Sequence, residues 1–169
     1  LFVGLTIRNI KIDEWDTSHC EDMSWMFESC VDFNADLSSW DTSHCKNMAA
    51  MFWDCKVFNC DLSGWDVSKV TNMTSMFITC KKFNSDLSHW DVSKVEWMPD
   101  MFSSCTNFTA DLSIWDVSNV KNMSEMFAGC KKFESDLSKW DVRKVKTHFD
   151  AFEGCEKMTR RMLPQFKYN

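Results

Sequence analysis

The chain has 169 residues, enough for one domain with its own core, and 44% of them are hydrophobic, an ordinary share for a globular protein. A net charge of −6 and a pI near 5.2 argue against a nucleic-acid binder, which needs a basic face to neutralise phosphates. No apolar run reaches the ~18 residues that a membrane-spanning helix requires, so no span is expected in this segment.

Residues 1–14 carry only part of a pattern that dominates everything after them. Ile12 stands three residues before Trp15, where later units place Leu37, Leu62, Leu87, Leu112 and Leu137. The stretch is expected to be an amino-terminal cap or the end of a preceding repeat. The first residue is Leu1 with no charged and apolar leader, so the natural start is expected to have been removed and targeting information is absent rather than negative.

From Trp15 the chain repeats. Trp15, Trp40, Trp65, Trp90, Trp115 and Trp140 are spaced by 25 residues without insertion or deletion, the signature of stacked structural units. Met73, Met76, Phe77 and Cys80 fall at i, i+3, i+4 and i+7, the stripe of a short helix with one face inward. The segment Leu62-Ser63-Gly64-Trp65-Asp66-Val67 alternates with period two, as a strand with one buried face does. Asn59 and Asp61 mark the return loop, since their side chains bond nearby backbone in turns. Residues 15–142 are therefore expected to form an α/β repeat solenoid of about six units, with a parallel sheet on one face and short helical turns on the other. A parallel β-solenoid without helix is the alternative.

The pattern decays after Trp140. Arg143 replaces serine, His148 and Ala151 replace methionines, Met158 replaces phenylalanine, and Pro164 interrupts the next strand. Residues 143–169 read as a degenerate last repeat and carboxy-terminal cap, or as a basic tail that binds a partner.

Nine cysteines cannot all pair within one chain. Cys30, Cys55, Cys80, Cys105, Cys130 and Cys155 share one column, and Cys20 and Cys45 share another that later units fill with valine. Free thiols used as small packing groups, a ladder of disulfides between neighbouring units, and metal binding are all open from sequence. The cysteine column and the six repeat tryptophans are expected to be structural core.

Two exposed features could bind. Asp16, Asp41, Asp66, Asp91, Asp116 and Asp141 follow the tryptophans and form a carboxylate ladder, which either accepts local backbone N–H groups or also binds cations such as calcium. Glu14, Ser39, Gly64, His89, Ile114 and Lys139 precede the tryptophans and change from unit to unit, as partner-reading positions do. Trp25, Trp53 and Trp97 lie off the repeat register and are candidate contact anchors. His19-Cys20 and His44-Cys45 are adjacent pairs whose side chains diverge in an extended segment, so no metal centre is assigned. No nucleophile, base and oxyanion donor form a catalytic set, no cofactor is indicated, and glycine is too scarce for a phosphate-cradling loop.

The unit Phe-Asn-x-Asp-Leu-Ser-x-Trp-Asp-Val-Ser-x-Val-x-x-Met-x-x-Met-Phe-x-x-Cys resembles the 25-residue repeat of the BspA-like leucine-rich-repeat surface proteins, found also in mycoplasma lipoproteins and in protists. Leu62, Trp65, Val67 and Val70 fit the leucine-rich frame, and Cys20 and Cys45 fall on its Asn/Cys position. Alanine often stands in bacterial members where this chain has Cys55 and its equivalents. The resemblance implies a right-handed leucine-rich-repeat-like coil and a non-catalytic, adhesion-like surface module binding protein or glycan. An assembly subunit of a filament or shell, joined through end coils and exposed tryptophans, is the alternative. It implies a cell-surface or extracellular setting, or an intracellular or assembled one if the cysteines are reduced.

Overall fold

Every 25-residue unit folds as a closed string of tight turns. In the unit around Trp65 the N–H groups of Met51, Trp53, Cys55, Phe58, Trp65 and Val70 each bond the carbonyl three residues back, at 2.9 to 3.3 Å. The computed structural model describes residues 2–5 and 11–166, and across them the same turns recur from coil to coil. Leu1, residues 6–10 and residues 167–169, which belong to the expected caps, lie outside the described residues.

Neighbouring coils are joined by backbone bonds, of which the Lys46 and Thr71 N–H groups and their equivalents donate to the coil before, and the following stretch donates to the coil after. The N–H groups of Met48, Ala50, Phe52 and Asp54 donate to the carbonyls of Asn72, Thr74, Met76 and Ile78 in the next coil, at 2.8 to 3.0 Å. Asn47 and its successors in turn accept from the coil before. Every second peptide from Asn47 to Asp54 is thus aligned along the stack, with its N–H pointing toward the carboxy-terminal coils. A residue in the left-handed region at two places in each coil makes this possible: Ser75 at φ 56° and Thr79 at φ 61°, with Asp100, Ser104, Glu125 and Gly129 as their equivalents. Left-handed residues interrupt the i→i−4 ladder, because a continuous helix needs every residue right-handed.

This geometry corrects the expected fold class. Among the described residues the only regular elements are two 3₁₀ turns, Ile12–Glu14 and Arg160–Met162. The segment from Met73 to Cys80 is not helical. Its stripe arises because the coil curves, and Met73, Met76, Phe77 and Cys80 all point to the inside of that curve with no exposure. The segment from Leu62 to Val67 is not a strand. Two turns, closed by Trp65 N–H to Leu62 and by Val70 N–H to Val67, produce the alternation that looked like a pleat. The expected parallel sheet shrinks to single bridges, Asp22–Asn47, Asn47–Asn72, Asn72–Trp97, Trp97–Asn122 and Asn122–Thr147. Neither the leucine-rich-repeat architecture, with its sheet and helical turns, nor a β-solenoid describes the chain.

Where backbone pairing is missing, side chains tie the coils. The indole Nε1–H of Trp40, Trp65, Trp90, Trp115 and Trp140 donates to the carbonyl of Ile12, Leu37, Leu62, Leu87 and Leu112, at 2.8 to 3.1 Å. Asn34, Asn59 and Asn84 each accept on Oδ1 the N–H of the residue 25 positions later, at 2.7 Å. The core between these ties is a column of rings. Phe52 to Phe77 and Phe77 to Phe102 stack at 5.6 Å between centroids, and Phe77 meets Phe83 within its own coil at 4.0 Å. Such offset contacts add to area burial.

The two ends differ. Phe2 and Gly4 donate to Met26 and Glu28 in the manner of a coil, so residues 2–5 sit as residues 27–30 do one unit later. At the other end Met162 accepts the Leu137 N–H, Pro164 is buried, and Phe166 stacks on His148 at 4.0 Å. This segment covers the tryptophan side of the last coil and leaves Trp140 only 5% exposed. No helix among the described residues is long and apolar enough to cross a membrane.

Candidate functional site

The aspartate ladder is built into the turns. Each carboxylate accepts the backbone N–H two residues on: Asp16 from Ser18, Asp41 from Ser43, Asp66 from Ser68, Asp91 from Ser93, Asp116 from Ser118 and Asp141 from Arg143, at 2.9 to 3.1 Å. The Ser18 hydroxyl adds a second bond to Asp16 at 2.6 Å. Serine hydroxyl and backbone N–H bonds hold the carboxyls of Asp16, Asp41, Asp66 and Asp91 below the usual range. Arg143 bonds Asp141 with its guanidinium and N–H and lowers that carboxyl to about 2. Asp36, Asp61, Asp86, Asp111 and Asp136 make the same turn on the neighbouring corner. Among the described residues no group of three or more His, Cys, Asp or Glu side chains is arranged to hold a metal ion.

The cysteine column is a hydrogen-bonding column. The thiols of Cys30, Cys55, Cys80, Cys105, Cys130 and Cys155 donate to the carbonyls of Phe2, Phe27, Phe52, Phe77, Phe102 and Phe127, at 2.9 to 3.1 Å. All nine cysteines are free, and only Cys20 is not buried. Burial raises the thiol of Cys80 far above its ordinary value and that of Cys155 to about 11.

The repeat tryptophans from Trp40 to Trp140 are 4 to 5% exposed, whereas Trp15 is 36% exposed. Trp15 packs on Phe2 and Trp40, with no earlier repeat tryptophan beside it among the described residues. The variable column is on the surface throughout. Glu14 pairs with Lys11 at 2.8 Å, the Ser39 hydroxyl bonds the Asp13 carbonyl, His89 and Lys139 are exposed, and Ile114 is 71% exposed.

The off-register tryptophans make two different arrangements. Trp25 is 42% exposed and packs against the half-buried Trp53, with 5.7 Å between ring centroids and the rings tilted by 34°. Trp97 is 44% exposed, and the Lys121 ammonium lies 6.0 Å from its ring centroid while pairing with Glu96. Sequence reading found these indoles but not the Trp25–Trp53 contact. The signal was present: the two residues are 28 positions apart, the separation that also joins Trp65 to Leu37 and Cys80 to Phe52. It also missed the left-handed column, in which Trp25 stands at φ 60°, Asp100 at φ 56° and Glu125 at φ 53°. Burial, and then the charge of Glu125, push the Asp100 carboxyl up.

No curated protein and no solved structure matches the chain. One family model, described as "Mycoplasma protein of unknown function, DUF285", matches residues 1–81 and again residues 61–166. With the matches together spanning almost the whole chain, the protein belongs to this Mycoplasma family.

Proposed function

We propose that the chain is a non-catalytic binding module of the kind found among BspA-like surface proteins, a repeat scaffold that presents aromatic and variable side chains to a protein or glycan partner at the cell surface. One observation carries this reading. A chain that buries its repeat tryptophans from Trp40 to Trp140 leaves Trp25 and Trp97 more than 40% exposed at positions the repeat does not require. Exposed indoles supply large contact area at low entropic cost and are favoured binding anchors. The test is binding of the purified chain to a glycan array and to a panel of purified surface glycoproteins, with and without their glycans. Saturable binding that weakens in Trp25→Ala or Trp97→Ala is expected, and the absence of saturable binding on every surface would overturn the reading.

A second reading, an assembly subunit, has its own support. The N–H groups of His148, Asp150, Phe152 and Gly154, which in every earlier coil would donate onward, have no acceptor among the described residues. Phe149 beside them is 69% exposed. Sedimentation of the chain across a range of concentrations, with Phe149→Asp as the comparison, tests for contact through this coil.

A further inference from the structure

The Trp25–Trp53 pair is costly to maintain. A bulky side chain in the left-handed region is an outlier, and Trp25 holds φ 60° where other coils place Ala50, Ser75, Asp100, Glu125 and Asp150. Its indole is also 42% exposed, so burial does not offset the backbone strain. Strain and exposure at one residue point to use by a ligand.

The surrounding charge selects the ligand. Residues 11–60, which hold both indoles, carry three lysines and ten carboxylates, whereas residues 140–166 carry six basic and four acidic residues. Glu28 closes a turn on the Trp25 carbonyl through its own N–H, and Asp54, which follows Trp53, pairs with Lys56 at 3.5 Å and accepts the Thr79 hydroxyl at 2.8 Å. The protein already displays what an exposed indole beside a carboxylate accepts on this scaffold, because at Trp97 the Lys121 ammonium sits over the ring and against Glu96. Cations are drawn to the negative face of an indole, and arginine most often.

We propose that Trp25 and Trp53 form the docking site for an arginine or lysine side chain of a basic segment in a protein partner. The cation lies over the indole pair, and the carboxylates of the first coils supply charge complementarity and steer the encounter. This rests on the binding-module reading and gives its partner a chemistry.

The experiment is calorimetric titration of the 169-residue chain with octa-arginine at physiological salt, against a neutral chitin hexasaccharide as the competing probe. Wild type is expected to bind octa-arginine, Trp25→Ala to weaken it about tenfold, and Glu28→Gln to weaken it by roughly threefold, while Asp136→Asn, far along the stack, changes it less than about twofold. Trp25→Gly, which removes the strain, is the second variant and should match Trp25→Ala, with melting curves confirming that both fold. Unchanged affinity in both variants would mean diffuse attraction to an acidic surface and would overturn the proposal. Binding of the hexasaccharide in place of octa-arginine, dependent on Trp25, would also overturn it but would leave the binding-module reading standing.

Discussion

The Cys80 thiol donates to the carbonyl oxygen of Phe52, 28 residues earlier and 3.0 Å away, with both residues fully buried. The bond makes cysteine more than a filler in this column, because it gives the Phe52 carbonyl a second donor beside the Cys55 N–H, which lies at 3.0 Å. Cys80→Ala is expected to destabilise the chain by about 1–2 kcal/mol, through the lost packing and the lost second bond to that carbonyl. Cys80→Ser keeps a donor and should cost less than alanine. Denaturant melts of the two variants decide the point, and a serine variant weaker than the alanine one would remove the hydrogen bond from the account.

Thiol reactivity should follow the same geometry. Cys20 is the one cysteine that is not buried, and its thiol bonds only the nearby Asp22 carbonyl at 3.4 Å. The thiols of Cys55, Cys80, Cys105 and Cys130 are buried and pushed up by desolvation, which suppresses the reactive thiolate. A thiol-specific reagent on the native chain should modify Cys20 first and leave the Cys55–Cys130 column untouched until denaturant is added. Peptide mapping by mass spectrometry reads the order directly, and rapid labelling of Cys80 would contradict the structure.

The repeat itself was plain in the sequence, and so was most of the core, because the 25-residue period depends only on which residues recur. The local conformation was not. Met73, Met76, Phe77 and Cys80 carry a helical stripe, yet a coil that turns inward over those residues produces the same spacing without one helical turn. What distinguishes the two is the left-handed backbone at Ser75 and Thr79, and neither residue type announces a positive φ as glycine would. Among the described residues Gly4, Gly129 and Gly154, in the first and last coils, mark that column in the expected way. The candidate site was legible as single residues. The Trp25–Trp53 contact needed the three-residue stagger between coils, which the period alone does not contain.

The tryptophan ties divide the indoles into two energetic classes. Trp90 is 4% exposed and its Nε1–H satisfies the Leu62 carbonyl at 3.0 Å, whereas Trp97 is 44% exposed. Trp90→Phe removes one of that carbonyl's two donors, the Trp65 N–H remaining at 3.1 Å, and opens space beside Phe77, so a loss of about 1–2 kcal/mol is expected. Trp97→Phe should change stability by less than about 0.5 kcal/mol, as surface substitutions do. Equal effects in the two melts would show that the indole bond contributes nothing.

The left-handed columns can be relieved by glycine. Glu125 holds φ 53° on the surface, where its side chain adds no burial that glycine would lose. Glu125→Gly is expected to raise stability by about 0.5–1 kcal/mol, the strain relieved exceeding the entropy glycine adds to the unfolded chain. Gly129→Ala, at φ 74°, should do the reverse by about 1 kcal/mol. The pair of thermal melts checks the sign of each.

Acid should weaken the chain through its turn aspartates and spare it at one position. Asp86 and Asp91 bond the N–H groups of Ser88 and Ser93, and their carboxyls are held below the usual range. A folded-state pKa below the unfolded one contributes stability that is present above about pH 4 and lost as pH falls through the lowered folded values. The melting temperature should therefore drop below about pH 4. Asp100 has the opposite sign, since burial and then Glu125 push its carboxyl up. Its charged form burdens the folded state at neutral pH, and the burden disappears as the group protonates. Asp100→Asn should raise the melting temperature at pH 7 and raise it less near pH 3. The part of the gain that survives acid reflects the easier fit of asparagine at φ 56°, and a gain independent of pH throughout would assign the whole effect to the backbone.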